Sequence, residues 1–259
     1  MKNSEYDALV SYLKGEKVDR PNKSAKGTLS GHAAGEPFEK LVYSILKRLY
    51  PSNIYKQFEY LNDLYLKNPK VISVDDRRAL IESPVALFLL TRGDKATRNW
   101  NPQHVFEEKQ DDTADILWHK NGKFSIIDIK TRNVSKEAQA PNIISAYKLA
   151  QMCALMMDND DYKTVGIKYV EVDWVANGDE LECVDAHWKD LFRSKPSDLY
   201  INWAAAMQIQ FHVSGLDQSF TGDVKSWAKE YLKAFVASAE KRCEYMREKY
   251  VIPFQKYVE

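Results

Sequence analysis

The chain has 259 residues, of which 44% are hydrophobic and 29% charged, enough material for a substantial core and far from the composition of a disordered polypeptide. The 37 Lys and Arg balance 37 Asp and Glu, so no global charge draws it to nucleic acid or to anionic lipid. The longest apolar run, 85–90, falls well short of the roughly 20 residues of a membrane helix, and charges punctuate the N-terminal stretch. A cytoplasmic protein without membrane span or signal peptide is expected. Cys153, Cys183 and Cys243 form no C-x-x-C pair and are expected to fill inert packing roles. His32, His104, His119, His187 and His212 show no metal-ligand spacing, and neither G-x-S-x-G nor a Walker-type loop occurs. Serine hydrolase, zinc hydrolase and P-loop chemistry are thereby disfavoured.

In chain order, the first helix begins after the Gly-rich stretch Gly27-Thr28-Leu29-Ser30-Gly31-His32. Its positions Phe38, Leu41, Val42, Ile45, Leu46 and Leu49 follow the spacing of one buried helical face. From about 54 to 106, Pro69, Pro84, Gly93 and Pro102 interrupt short apolar pieces, predicting short helices broken by turns. Over 115–131 two apolar runs flank Asn121-Gly122, the strongest two-residue hairpin signal. After Pro141, the run Ile143, Ile144, Tyr147, Ala150, Gln151, Ala154 and Leu155 reads as a one-sided helix. Strands are expected at 165–174, 181–184 and 207–213, with a turn at Asn177-Gly178. A long helix over 226–250 carries Trp227, Tyr231, Phe235, Val236, Ala239, Cys243 and Met246 on one stripe. Together these elements predict an α/β (α+β) fold, a mixed sheet covered by helices, in one domain spanning 1–259.

A two-residue turn at Asn121-Gly122 places Lys120 opposite Lys123, Leu117 opposite Ile126 and Asp115 opposite Asp128. Directly opposed residues lie with Cβ atoms about 4.5–5.5 Å apart, and Lys130 projects from the same face as Asp128. Facing carboxylates in an apolar hairpin repel and resist desolvation unless a cation or protons neutralise them. A hard divalent cation such as Mg²⁺ would resolve the conflict with the two carboxylates, a backbone carbonyl and a substrate phosphate oxygen. Such an ion polarises a phosphoryl oxygen and activates water, while the Lys130 ammonium holds that water or stabilises charge on phosphorus. The chemistry is phosphodiester hydrolysis. Against it stands a solvated strand end at Asp128 and Lys130 with Asp115 as a turn residue. Three other acid-x-Lys triplets, Glu107-Glu108-Lys109, Asp161-Tyr162-Lys163 and Asp223-Val224-Lys225, show how little the bare pattern carries. Only the triplet at 128 ends an apolar strand with a second Asp opposite.

An Asp on one strand and Asp-x-Lys on the next resembles the PD-(D/E)XK nuclease signature, with Ala114-Asp115 here in place of Pro-Asp. Longer stretches are more specific: the Gly27 to Lys40 segment, Asp112-Thr113-Ala114-Asp115, Lys130-Thr131-Arg132-Asn133, Ala138-Gln139-Ala140-Pro141-Asn142 and Tyr200-Ile201-Asn202-Trp203. These resemble the HincII family of type II restriction endonucleases over nearly the whole chain, with more divergence at the extreme N-terminus and in the C-terminal half of the last helix. The resemblance implies a restriction-endonuclease-like core and a homodimer that clasps duplex DNA. It implies Mg²⁺, with Mn²⁺ as a substitute, and cleavage of GTYRAC at its centre to blunt ends with 5′-phosphates. Asp115, Asp128 and Lys130 match the catalytic positions, with Asp115, Asp128 and the Ile129 carbonyl as metal ligands. Gln139 would insert between bases, Asn142 and Asn202 would meet base edges, and Ala138, Gln110, Arg132, Tyr200 and Thr131 would join the DNA contacts. Glu39 would assist the metal site through water. A companion DNA methyltransferase is implied, not as a stable subunit.

Asn bonds to base edges, and an inserted side chain unstacks and bends the duplex, so these roles suit the residue types. Plainer roles exist for each: Gln139 as a polar loop residue, Asn142 as a helix N-cap, Asn202 as a turn residue and Glu39 as a surface helix carboxylate. Local charge offsets global neutrality, because Lys120, Lys123, Lys130, Arg132 and Lys136 face only Asp128 among the acids of 120–136. Lys14, Lys17, Arg20, Lys23 and Lys26 form a weaker second cluster. A structure-directed repair or junction nuclease of the same fold, and a catalytically silent DNA-binding protein, are the alternatives.

Overall fold

The computed structural model describes residues 1–21, 31–57, 59–60, 73–90, 115–137 and 139–258, with the backbone alone for 31–34. Six strands, β1 (Lys17–Asp19), β2 (Ile54–Tyr55), β3 (Ile116–Lys120), β4 (Lys123–Asn133), β6 (Val165–Asn177) and β7 (Glu180–Asp190), form one sheet. Its order is β1-β7-β6-β4-β3-β2, with β4 and β6 parallel and the other pairs antiparallel. A second, antiparallel sheet joins β5 (Asn142–Ser145), β9 (Gln208–Gln210) and β8 (Tyr200–Asn202) in that order. Parallel neighbours need a long crossover. Here β5 and the helix Ala146–Asp158 lie between β4 and β6 in the chain.

The β3/β4 hairpin forms as its turn chemistry dictates. Asn121 and Gly122 adopt φ of 51° and 70°, the doubly positive φ of a type I′ turn, whose twist matches that of the flanking strands. The register pairs Lys120 with Lys123, Leu117 with Ile126 and Ile116 with Ile127. Alternation then divides the strands between two cores. Leu117, Ile126, Ile167 and Tyr169 join a core with α4 (Pro84–Leu90), α5 (Ala146–Asp158) and the start of α6 (Val224–Met246). Ile116, Ile127, Ile129, Val170 and Val172 pack against α1 (Asn3–Leu13) and α2 (Gly31–Leu49) on the opposite face. In α2 the buried stripe is Phe38, Val42, Ile45 and Leu46, while Leu49 is exposed. Of the predicted short helices, α3 (Val74–Glu82) and α4 lie within the described residues.

Several expectations are corrected. Ile143 and Ile144 belong to β5, not to a helix, because pairing with β9 recruits them; α5 starts at Ala146, where the Ser145 hydroxyl accepts from Lys148 N at 3.3 Å. The strand expected at 181–184 extends over β7, since β6 offers a partner along its whole length. The loop joining β6 to β7 is Gly178-Asp179 rather than Asn177-Gly178, because Asn177 already pairs with Glu180 and Gly178 takes the positive φ. The strand expected at 207–213 shortens to β9, as Val213 enters a 3₁₀ turn; β8, β1 and α1 arise where no element was foreseen, and β2 opens as a strand, paired with β3, the segment expected to be short helices. In α6 only Trp227, Ala228 and Tyr231 are buried. Val236, Cys243 and Met246 are exposed, so Cys243 has no packing role, while Cys153 and Cys183 are buried. Among the described residues, no helix is long and apolar enough to cross a membrane.

Gly122→Ala tests the turn. The added Cβ would sit 3.3 Å from Ala79 Cβ at a positive φ, and urea denaturation should show a loss of about 1–2 kcal/mol with an unchanged slope.

Candidate active site

Side-chain parity on β4 places Asp128, Lys130 and Arg132 on the face of Ile126, and Asp115, one residue before β3, shares the face of Leu117. The structure thus brings Asp115, Asp128 and Lys130 together. Asp115 Oδ2 accepts from the Ile129 N–H at 2.6 Å, across the pair from Asp128. Because N–H and C=O of one strand residue point the same way, the Ile129 carbonyl also faces the Asp115 side, past the start of β3. Lys130 Nζ lies 2.8 Å from Asp128 Oδ2, a close approach without hydrogen-bond geometry.

The Asp128 side chain is only 13% exposed, and burial is the main force on it. Desolvation pushes its pKa up to about 8, the Lys130 ammonium opposes that rise, and the Asp115 carboxylate adds to it. Tyr169, beside Asp128 in the parallel register, is buried without a hydrogen bond to its hydroxyl and offers no relief. Two facing carboxyls, one with a buried oxygen lacking a hydrogen bond, plus an adjacent carbonyl make an all-oxygen donor set. That set fits a hard divalent cation that keeps most of its waters. It is a sparse set: no group of three or more His, Cys, Asp or Glu suited to a metal occurs among the described residues.

Beyond this trio, the Arg132 guanidinium is held by buried Asp173 on β6, with Nε 2.9 Å from Oδ1 and Nη2 bonded to Oδ2. Thr131 points to the opposite face, toward Gly35 of α2, where a Cβ on the glycine would meet its hydroxyl at 3.7 Å. Glu39 lies on α2, against that same opposite face, and pairs with Lys56. Other acid-x-Lys triplets have local roles. Asp161 accepts from Ser83 Oγ and Thr164 N, and Asp223 caps α6 through Ser226 N. The triplet at 107–109 lies outside the described residues. Within the N-terminal basic cluster, Lys14 pairs with Asp185, Lys17 with Glu180, and Arg20 donates to the Gly178 carbonyl; Lys23 and Lys26 lie outside the described residues.

The proposed base-reading residues gather on the small sheet. Ile144, Ile201 and Ile209 fill its buried face, so Asn142, Tyr200, Asn202, Gln208 and Gln210 line the other. Tyr200 is 63% exposed there, and Gln139 is exposed in the extended segment before β5. Asn142 is a strand residue rather than a helix cap, whereas Asn202 does hold a turn, its Oδ1 accepting from Ala204 N and Ala205 N. Gln210, unforeseen, bridges the two asparagines. Its signal was the polar–apolar alternation Gln208-Ile209-Gln210-Phe211, readable only once a strand is assumed. Gln110 and Ala138 lie outside the described residues.

The family model described as Restriction endonuclease HincII matches residues 9–258. This chain belongs to the HincII restriction endonuclease family. The type II restriction enzyme HindII of Haemophilus influenzae (strain KW20/Rd) is 57% identical over 253 residues, covering 98% of this chain and 97% of its own. The type II restriction enzyme HincII of Haemophilus influenzae is 56% identical with the same coverage. Among solved structures, the NlaIV restriction endonuclease aligns over 94% of this chain and 90% of its own, at TM-score 0.41 and 8% identity, too distant to bear on the fold. The HincII-family sheet described above is the mixed, helix-flanked α/β core expected.

The buried carboxyl makes stability depend on pH. Folded Asp128 keeps its proton up to about 8, whereas the unfolded chain releases it near the ordinary carboxylate value of about 4. The folded state therefore binds more protons across that window, and this group's contribution to stability falls as pH rises through it. Thermal denaturation without divalent ions should show Asp128→Asn melting above the unsubstituted protein at pH 8, with the difference closing toward pH 4. Equal melting temperatures at pH 8 would contradict the burial.

Proposed function

We propose that this HincII-family chain is a type II site-specific deoxyribonuclease that cuts both strands of duplex DNA at GTYRAC, centrally, leaving blunt ends with 5′-phosphates. The observation that carries the reading is the meeting of Asp115, Asp128 and Lys130 at the end of one hairpin, in a chain 56–57% identical to type II restriction enzymes. The site sequence rests on the likeness of the 138–142 and 200–203 segments and on that identity. A two-fold-symmetric site calls for a homodimer, one active centre per strand. The companion partner is a methyltransferase of the same specificity, and the compartment is the cytoplasm.

Asp115, Asp128 and the Ile129 carbonyl would hold Mg²⁺. That ion, when bound, supplies Lewis-acid polarisation of the scissile phosphoryl group and a water of lowered pKa. The protein's own groups do the rest. Asp128 would face that cation as the carboxylate, and Lys130, which pairs with no other carboxylate among the described residues, stands beside it within reach of the bound phosphate. There it offsets the charge that grows on phosphoryl oxygen as the bond to water forms. Arg132, anchored by Asp173 through Nε and Nη2, keeps Nη1 for the phosphate backbone. Tyr200, Asn142 and Asn202 meet the grooves from the polar face of the small sheet, and Gln139 enters the base stack beside it.

A digest of long unmethylated DNA with Mg²⁺ should give discrete blunt fragments. Asp128→Ala should abolish cutting while Ca²⁺-supported binding persists, and Lys130→Ala should slow single-turnover cleavage by about 10²–10³ or more. Cutting by Asp128→Ala, or cutting only at branched DNA, would overturn the proposal.

A further inference from the structure

Three amides on the small sheet form one directed chain. Backbone N–H groups only donate, so the Asn202 side-chain atom that meets Ala204 N at 3.0 Å and Ala205 N at 3.1 Å must be the oxygen. Asn202 Nδ2 therefore faces Gln210 and donates to its Oε1 at 2.9 Å. That contact in turn orients the Gln210 amide, whose Nε2 donates to Asn142 Oδ1 at 2.8 Å. Two backbone amides in the turn after β8 thus dictate, through two hydrogen bonds, which end of Asn142 points away from the sheet.

The consequence is chemical. Asn142 is exposed, and with Oδ1 engaged by Gln210 its NH₂ is the end turned outward, both protons without a bond among the described residues. One further N–H remains on each of Gln210 and Asn202. The face therefore offers hydrogen-bond donors. In the major groove, guanine presents two adjacent acceptors, N7 and O6, whereas adenine pairs an acceptor with a donor and cytosine offers a donor. An asparagine free to rotate would serve adenine as well as guanine. One held by Gln210 favours guanine.

We propose that Gln210 is a specificity-determining positioning residue, which acts through Asn142 by holding its amide with the NH₂ directed at the N7/O6 edge of a guanine in the recognition site. The inference rests on the base-reading role given to this face under the proposed function. Gln210 lies on the central strand β9, hydrogen-bonded to Asn202 on one side and Asn142 on the other, and need not touch the base.

Equilibrium binding with Ca²⁺ tests it, using a duplex carrying the cleaved sequence and the same duplex with 7-deazaguanine, which lacks the N7 acceptor, at each guanine of the site. Unsubstituted protein should lose roughly tenfold or more in affinity on the 7-deaza duplex, the size of one good base contact. Gln210→Glu replaces the donor facing Asn142 with an acceptor, turns that amide round, and should shrink the penalty to about twofold or less. Asn142→Ala should shrink it equally, and adding Gln210→Glu to Asn142→Ala should change it no further. Should Gln210→Glu fail to fold, Gln210→Met removes both hydrogen bonds without adding charge, and the same loss of penalty is expected. A Gln210 variant that keeps the full penalty, or an unsubstituted protein indifferent to 7-deazaguanine, overturns the role of Gln210 while leaving the nuclease assignment standing. Failure of the unsubstituted protein to cut any duplex with Mg²⁺ overturns the assignment itself.

Discussion

Two carboxyl groups held against each other at the end of an apolar hairpin, with one ammonium for company, are the constraint around which this molecule is arranged. Water cannot solvate Asp128 fully, Lys130 balances at most one negative charge, and Asp115 is tied by its bond to the Ile129 amide. The protein alone answers with a proton on Asp128. Under the proposed phosphodiester chemistry a cation would stand there instead, and the same burial that raises the carboxyl pKa would favour that exchange. β4 holds Asp128 and Lys130, and Asp115, one residue before β3, is tied to β4 through the Ile129 N–H, so the positions are set by backbone pairing rather than by the charges, which would otherwise move apart.

The strand that carries Asp128 and Lys130 is also joined to the small sheet. β4 runs from the hairpin through Asp128, Lys130 and Arg132, and the chain then leads within a few residues to Gln139 and β5. On the far side, buried Glu171, in register with Lys130, accepts from Val213 N and Ser214 N just beyond β9. Both ends of the small sheet are thus anchored to the β4/β6 strand pair.

The central hairpin was legible because its information is local: Asn121-Gly122 admits positive φ, alternation marks the faces, and the register follows by counting. The convergence of Asp115, Asp128 and Lys130 on one face came with it. β5 was not legible, since Ile143 and Ile144 obey a helical spacing as well as a strand one and only distant β9 decides between them. The exposed half of α6 kept a helical stripe that no described residue buries. Asp173, Glu171 and Gln210 escaped notice for one reason: each acts through a partner more than 40 residues away or on another strand, which spacing along the chain cannot show.

The most direct measurement of the central claim is a ¹³C-detected NMR titration of the Asp128 carboxyl, assigned by its loss in Asp128→Asn. A midpoint near 8 is expected without divalent ions, displaced downward by saturating Mg²⁺ and moved by Asp115→Asn as well. A midpoint in the ordinary carboxylate range, indifferent to both Mg²⁺ and Asp115, would contradict it.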